Sequence, residues 1–426
     1  MRADLQDRAL DRPVMTRRFH APIIVVVAMV AIASCTTTPT SDLDGGQASP
    51  SSVVAGPRRF ATGDLPELPS TSLAASVTAS LQNIIDAAVE DGKLPGITAA
   101  VIVAGDGIWS GAAGTADLVN DLVPESQFNV GSINKAVIAA QVLRLVEDGV
   151  LALDDPVADH LPASLDFDTN GATIQQLLSM RSGIANPEED PVVLGYDRRW
   201  IPIHPNREWS LERRLETLET LPGPADSPPG SRYEYSSTNY TLLRMAIEHE
   251  IRRPLAEVLR ADVLADRGLE RMILQAHEHP VEPVAAPLTR RYQEDVTAAF
   301  EAGGGYLPSR FDGSEAIASD APSLARWVYE LFGGRVVSPD SLAKMTRMGR
   351  DGYGFGLYED AEEWGIEDVA LGHSGILIPA YSSYFVVLPE HGIVVVTLSN
   401  IADGNRDLSR VVSIGRDLAE AVHPDL

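Results

Sequence analysis

Apolar positions recur at helical spacing from about Ser72 to Asp91. Leu73, Val77, Leu81, Ile84, Ile85 and Val89 share one face and predict an opening helix. The period then changes. Ile97 to Ala104 is rich in β-forming residues, Gly105-Asp106-Gly107 has turn chemistry, and Ile108 to Ala112 follows, so a hairpin is expected. Near the other end, Tyr381 to Leu388 and Ile393 to Leu398 form a second hairpin about Pro389-Glu390-His391-Gly392, and a helix from about Asp407 to Ala421 closes the chain. The stretches Ile133–Asp148, Thr173–Met180, Tyr240–Glu250, Leu255–Ala265 and Ala321–Leu331 predict helices between them. Strands at both ends with helices in the middle imply an α+β fold. Its antiparallel sheet is drawn from both chain ends and flanked by helices, beside a helical lobe, with a ligand cleft between the two.

The 426 residues can bury a large core, as one large domain or two modest ones. Their 34 basic and 60 acidic residues give a net charge of -26, which argues against a nucleic-acid partner because phosphate binding needs basic patches. Cys35 is the only cysteine, so no internal disulfide can form. Before it stand Arg17-Arg18 and the apolar run Ile23 to Ala33, the layout of a secretory signal too short to span a bilayer. Ile32-Ala33-Ser34-Cys35 resembles the lipobox of bacterial lipoproteins, which implies lipidation of Cys35 and an extracytoplasmic, membrane-anchored location. The alternative is a plain signal peptide or an uncleaved anchor. The expected organisation is a signal peptide over 1–34 with Met15 as an alternative start, lipidated Cys35 and a Ser/Thr/Pro/Gly-rich tether over 35–71, and a folded domain over 72–426.

The chemistry concentrates at Ser132-Ile133-Asn134-Lys135. A serine hydroxyl is a weak nucleophile until a base lies within hydrogen-bond reach, and residues three apart on a helix share a face. The chain has three lysines, Lys93, Lys135 and Lys344, so the spacing is rarely met by chance. It occurs again at Ser341-Leu342-Ala343-Lys344, which reads as a solvated helix start after Pro339-Asp340. The helix after Lys135 is apolar nearly all round. Burial there would disfavour a charged lysine and suit it to accept a proton.

Two more segments join this one. Tyr233 to Tyr240 follows the turn Pro229-Gly230, leaving Tyr235 free to exchange a proton, and His373-Ser374-Gly375 precedes the strand at Tyr381. In this order Ser132-x-x-Lys135, Tyr235-Ser236-Ser237 and His373-Ser374-Gly375 resemble the serine β-lactamase and penicillin-binding family. The similarity is to the branch of class C β-lactamases, D-alanyl-D-alanine carboxypeptidases and esterases. Further stretches share it: Phe128 to Gly131, Thr173 to Leu178 with Ser182-Gly183, Asp320 to Trp327, and Tyr381 to Ser383. The resemblance spans roughly Leu73 to Ala421.

The resemblance implies the β-lactamase/transpeptidase-like fold and an acyl-enzyme on Ser132. Lys135 and Tyr235 would share the base and proton-shuttle work, and it leaves open which takes the first proton. Ser237, His373, Ser374 and Gly375 would flank the substrate, with His373 on a strand where many relatives carry lysine. The backbone N–H groups of Ser132 and Ile376 would form the oxyanion hole. No metal or organic cofactor is implied. Two departures stand out. Ser237 replaces a common asparagine, and Ile376 to Ala380 is bulkier than the usual glycine-rich turn, which together suggest a small, apolar-walled acyl pocket. The segment Asn186 to Glu212 either lines the cleft or forms a surface loop. Substrates would be a cell-wall peptide or an ester, with a β-lactam third. The rival reading is a catalytically idle, cell-wall-binding lipoprotein. Other chemistries lack support: no Gly-x-Ser-x-Gly occurs, and His277-Glu278-His279 lacks the spacing of a zinc protease.

Overall fold

A computed structural model describes residues 63–92, 94–186, 227–265, 267–275, 277–290, 300, 317–377, 380–424 and 426. Cys35, the expected signal peptide and residues 187–212 lie outside them. Among the described residues no helix is long and apolar enough to cross a membrane.

The strands are β1 (Gly96–Val103), β2 (Gly107–Gly114), β3 (Phe128–Asn129), β4 (Ile273–Leu274), β5 (Ile317–Ser319), β6 (Tyr358–Glu359), β7 (Leu371–Leu377), β8 (Tyr381–Leu388) and β9 (Ile393–Ser399). The helices that matter here are α1 (Ala75–Glu90), α2 (Asn134–Glu147), α3 (Ile174–Leu178), α4 (Ser237–Ile251), α5 (Leu255–Ala261), α6 (Ala321–Phe332), α7 (Pro339–Met345) and α8 (Asn405–Val422). Both expected hairpins form, and β1 from the front of the chain pairs antiparallel with β9 from its back. The resulting sheet has the order β2-β1-β9-β8-β7-β6, and a small sheet, β3-β5-β4, stands apart from it.

Alternation along β8 and β9 explains why the sheet is covered on both faces. Tyr384, Val386, Leu388, Ile393 and Val395 join Leu81, Ile85 and Leu418 of α1 and α8 in one core. The intervening Phe385, Val387, Val394 and Val396 face a larger core that contains α2, α4 and α6. Side chains that alternate at period two must serve two layers when every position is apolar. The helix α3 begins with a capping box, because the Gln176 N–H donates to Thr173 Oγ1 at 3.3 Å and the Thr173 N–H to Gln176 Oε1 at 2.9 Å.

Two expectations need correction. The tether does not run to residue 71: Leu65 is buried, Gly63 N–H donates to the Phe332 carbonyl, and Tyr329 Oη donates to the Pro66 carbonyl. The apolar Leu65 and Leu68 hold this stretch on the domain in spite of its polar composition. Nor does Ser341 stand at a solvated helix start. It is buried in α7 while Lys344 is exposed, so this second Ser-x-x-Lys has its two side chains in different surroundings.

Candidate active site

Ser132 sits in a turn of 3-10 helix, Gly131–Ile133, that runs directly into α2. The turn is fixed from behind. The Gly131 N–H donates to Asn129 Oδ1 at 2.7 Å, the Asn129 amide donates to Gln275 Oε1 at 2.8 Å, and the Val130 N–H donates to the Ile317 carbonyl. Gly131 has φ +52, a backbone region that glycine enters without the Cβ penalty, and a Cβ there would stand 3.0 Å from the Ile376 nitrogen. The small sheet β3-β5-β4 therefore holds the Ser132 turn against strand β7.

Ser132 Oγ is the meeting point of two polar side chains. Lys135 Nζ donates to it at 2.9 Å and Tyr235 Oη at 3.0 Å, both inside the range in which a proton can pass. Lys135 is wholly buried, whereas Ser132 keeps 8% of its surface exposed, enough to meet a substrate. Lys135 Nζ also lies 5.2 Å from the centre of the Tyr235 ring and 5.9 Å from that of Tyr240. At the first turn of α4 Ser237 is fully buried, and its N–H donates to Asn186 Oδ1 at 3.4 Å. Its neighbours Ser236 and Thr238 both donate to the Ala185 carbonyl.

His373, Ser374, Gly375 and Ile376 lie on β7. This strand pairs with β6 only at Leu371 and Gly372, so its later residues form an edge next to the Ser132 turn. A Cβ on Gly375 would come within 3.1 Å of the Ser132 nitrogen, which places both backbones against each other. Ser374 and Ile376 are half-buried, on the side of the strand opposite to buried His373.

The His373 imidazole is held in one neutral form. A carbonyl oxygen can only accept, so Nδ1, 2.6 Å from the Ser374 oxygen, must carry the hydrogen. Nε2 then accepts from Tyr353 Oη at 3.4 Å. Burial, helped by the Lys135 charge and opposed by the Ser374 hydrogen bond, pushes the His373 pKa down to about 3. Tyrosine rings surround this group: Tyr358 lies 4.6 Å from the His373 ring centre, and Tyr353 meets the Tyr235 ring edge-on at 6.4 Å. Burial keeps the Tyr240, Tyr353 and Tyr358 hydroxyls well above the ordinary phenol value, hence protonated.

Sequence reading overlooked Tyr353 and Tyr358. Their signal was the run Gly352-Tyr353-Gly354-Phe355-Gly356-Leu357-Tyr358, whose alternation of glycine and large residues marks a backbone in close contact. A Cβ on Gly356 would lie 2.7 Å from the Lys135 carbonyl oxygen.

The profile of the family described as Beta-lactamase matches residues 81–414, and the chain belongs to that family. Esterase EstB of Burkholderia gladioli is 28% identical over 320 residues, which cover 68% of this chain and 79% of that one. A D-stereospecific amidohydrolase from Streptomyces sp. superposes with a TM-score of 0.66 at 25% identity, over 79% of this chain and 97% of that one. D-amino acid amidase from Ochrobactrum anthropi SV3 shares the fold, with a TM-score of 0.69 at 23% identity over 82% of this chain and 99% of that one. The chain is a serine hydrolase of the beta-lactamase family, a family whose members cleave ester or amide bonds.

Proposed function

We propose that this beta-lactamase-family serine hydrolase cleaves small acyl esters through an acyl-enzyme on Ser132. The observation that carries the reading is the pair of hydrogen bonds by which Lys135 and Tyr235 converge on Ser132 Oγ at 2.9 and 3.0 Å. Oγ attacks the ester carbonyl carbon and passes its proton to the Lys135/Tyr235 pair, in which Lys135 stands as the neutral amine that its burial favours. The Ser132 and Ile376 N–H groups, with the positive end of α2, receive the charge on the carbonyl oxygen. The alkoxide leaves with the stored proton. Water then attacks the acyl-enzyme by the reverse proton route and releases the acid.

His373 favours the ester among the possible substrates. Where a lysine would pair with a substrate carboxylate, as in a cell-wall peptide or an opened β-lactam, this chain offers an imidazole that stays neutral above about pH 3. An uncharged ester needs no such partner. Ser237 points the same way, since it is fully buried and short where relatives commonly place an amide. EstB, an esterase by name, supports the choice. The amide reading is the second one, supported by the D-stereospecific amidohydrolase from Streptomyces.

The test is a comparison of nitrophenyl butyrate, a D-Ala-D-Ala peptide and a penicillin on the full chain, with mass spectrometry of Ser132. Ester turnover with an acyl adduct on Ser132 supports the proposal. Faster cleavage of the peptide favours the amide reading, and folded protein that takes no acyl group from any probe favours the idle cell-wall-binding scaffold. The signal-like segment before Cys35 supports a lipid anchor outside the cytoplasm. Membrane-fraction protein with a lipid-bearing N-terminal Cys35 is the expected product, and an intact N-terminus in the soluble fraction overturns it.

A further inference from the structure

We propose that a second site, distant from Ser132, binds a small carboxylate with an apolar body. It is the cavity of about 220 Å³ between the β1–β2 hairpin and α6. Leu68, Ile102, Ile108, Trp109 and Ala325 give it apolar walls, and Arg326 is the single charged residue that lines it. The Arg326 Nε is buried and meets no acceptor among the described residues. Arg326 as a whole is half-buried and its guanidinium makes no hydrogen bond or ion pair among the described residues, so its outer nitrogens on the cavity wall fit an acceptor that comes from outside.

Other half-buried arginines of this chain find carboxylates. Arg260, Arg271 and Arg335, covered to the same degree as Arg326, pair with Glu278, Asp320 and Glu330. The chain carries 60 acidic residues, yet none among the described ones meets Arg326. Gly268 makes room for the group, because a Cβ there would stand 3.2 Å from Nη1. A planar guanidinium takes a carboxylate through two parallel hydrogen bonds, and the apolar walls accept the rest of the molecule. One positive charge suits a monoanion better than a phosphate. The volume is below that of most drug-sized pockets, which limits the ligand to a short chain or one ring.

The site does not compete with the substrate. β9 and β8 lie between β1 and β7 in the sheet, three strand spacings or roughly 14 Å at about 4.8 Å each.

The probe is octanoate, with 1-octanol as its uncharged counterpart, titrated calorimetrically into the full chain. Octanoate should saturate one site, Arg326→Gln should weaken it about tenfold or more, and octanol should bind at least as weakly as that variant. Octanoate should also raise the melting temperature of the wild type but not of Arg326→Gln, whose ester turnover and unliganded melt stay at wild-type values. No saturable binding, equal affinity in the variant, or binding that is lost once Ser132 is acylated overturns the proposal.

Discussion

A Cβ built on Gly375 would stand 2.1 Å from the Val130 carbonyl oxygen. Strand β7 thus lies against the Ser132 turn with no space for a methyl group. Ser383 Oγ, which donates to the same carbonyl at 2.7 Å, occupies the remaining side. Gly375→Ala must push β7 away from Ser132 and spread the two N–H groups proposed to hold the oxyanion. Losing one such donor costs about 10²–10³ in turnover. We expect at least a hundredfold fall in kcat on a nitrophenyl ester, with a loss of stability of about 1–3 kcal/mol from overpacking. Near-normal kcat in the folded variant would count against the placing of the oxyanion hole.

Ser132, Lys135 and Tyr235 share one hydrogen-bond centre, so their substitutions should not add. Tyr235→Phe and Lys135→Met should each lower turnover by about 10²–10⁴, the usual range for positioned acid-base groups. Combining either with Ser132→Ala should leave turnover no lower than Ser132→Ala alone. Initial rates on the ester for the single and double variants check this. A further fall in the doubles would mean that Lys135 or Tyr235 works apart from the serine.

Most of the scaffold was legible because its signals are local. Runs of β-forming residues set off by turn chemistry located β1, β2, β8 and β9, and the nearly all-round apolar stretch after Lys135 announced a buried helix. The site was legible only in pieces. Ser132 and Lys135 advertise themselves by spacing, but Tyr235 gains meaning from a contact across 103 residues. Tyr353 was missed for the same reason, since its link to His373 depends on how the β6 loop packs on β7. The strands β3, β4 and β5 have two or three residues each, too few for any periodicity. The docking of residues 63–71 depends on two leucines in polar surroundings, a signal that composition averages away.

Tyr353→Phe removes the hydroxyl that donates to His373 Nε2 and keeps the ring that packs on Tyr235 and Tyr358. The imidazole loses its second tether, while the Nδ1 bond to Ser374 persists. A neutral hydrogen bond of this length contributes about 1 kcal/mol. We expect unfolding free energy to fall by about that amount and kcat to fall several-fold with KM little changed. Tyr353→Leu, which removes the ring as well, should cost clearly more in stability, because a cavity opens among the packed aromatic side chains. A change in stability with kcat intact in Tyr353→Phe would make Tyr353 a packing residue only.

His373 makes the fold acid-sensitive by an amount that can be worked out. The unfolded chain takes up a proton at this histidine near its ordinary value of 6.5, but the folded chain resists until about pH 3. Between those values the unfolded state binds more protons, so stability rises with pH there and falls on acidification. The contribution is flat above about pH 7 and again below about pH 3. At pH 4.5 the gap of about two pH units corresponds to about 2–3 kcal/mol lost relative to pH 7. The group is almost fully buried, so solvent screening takes little away. Denaturant unfolding of the wild type and of His373→Gln at pH 7 and pH 4.5 isolates the effect, because glutamine has no such proton to gain. The wild type should lose about 2–3 kcal/mol more than the variant over this range. Parallel losses would show that the imidazole charges within the fold, and would remove the main support for an uncharged substrate.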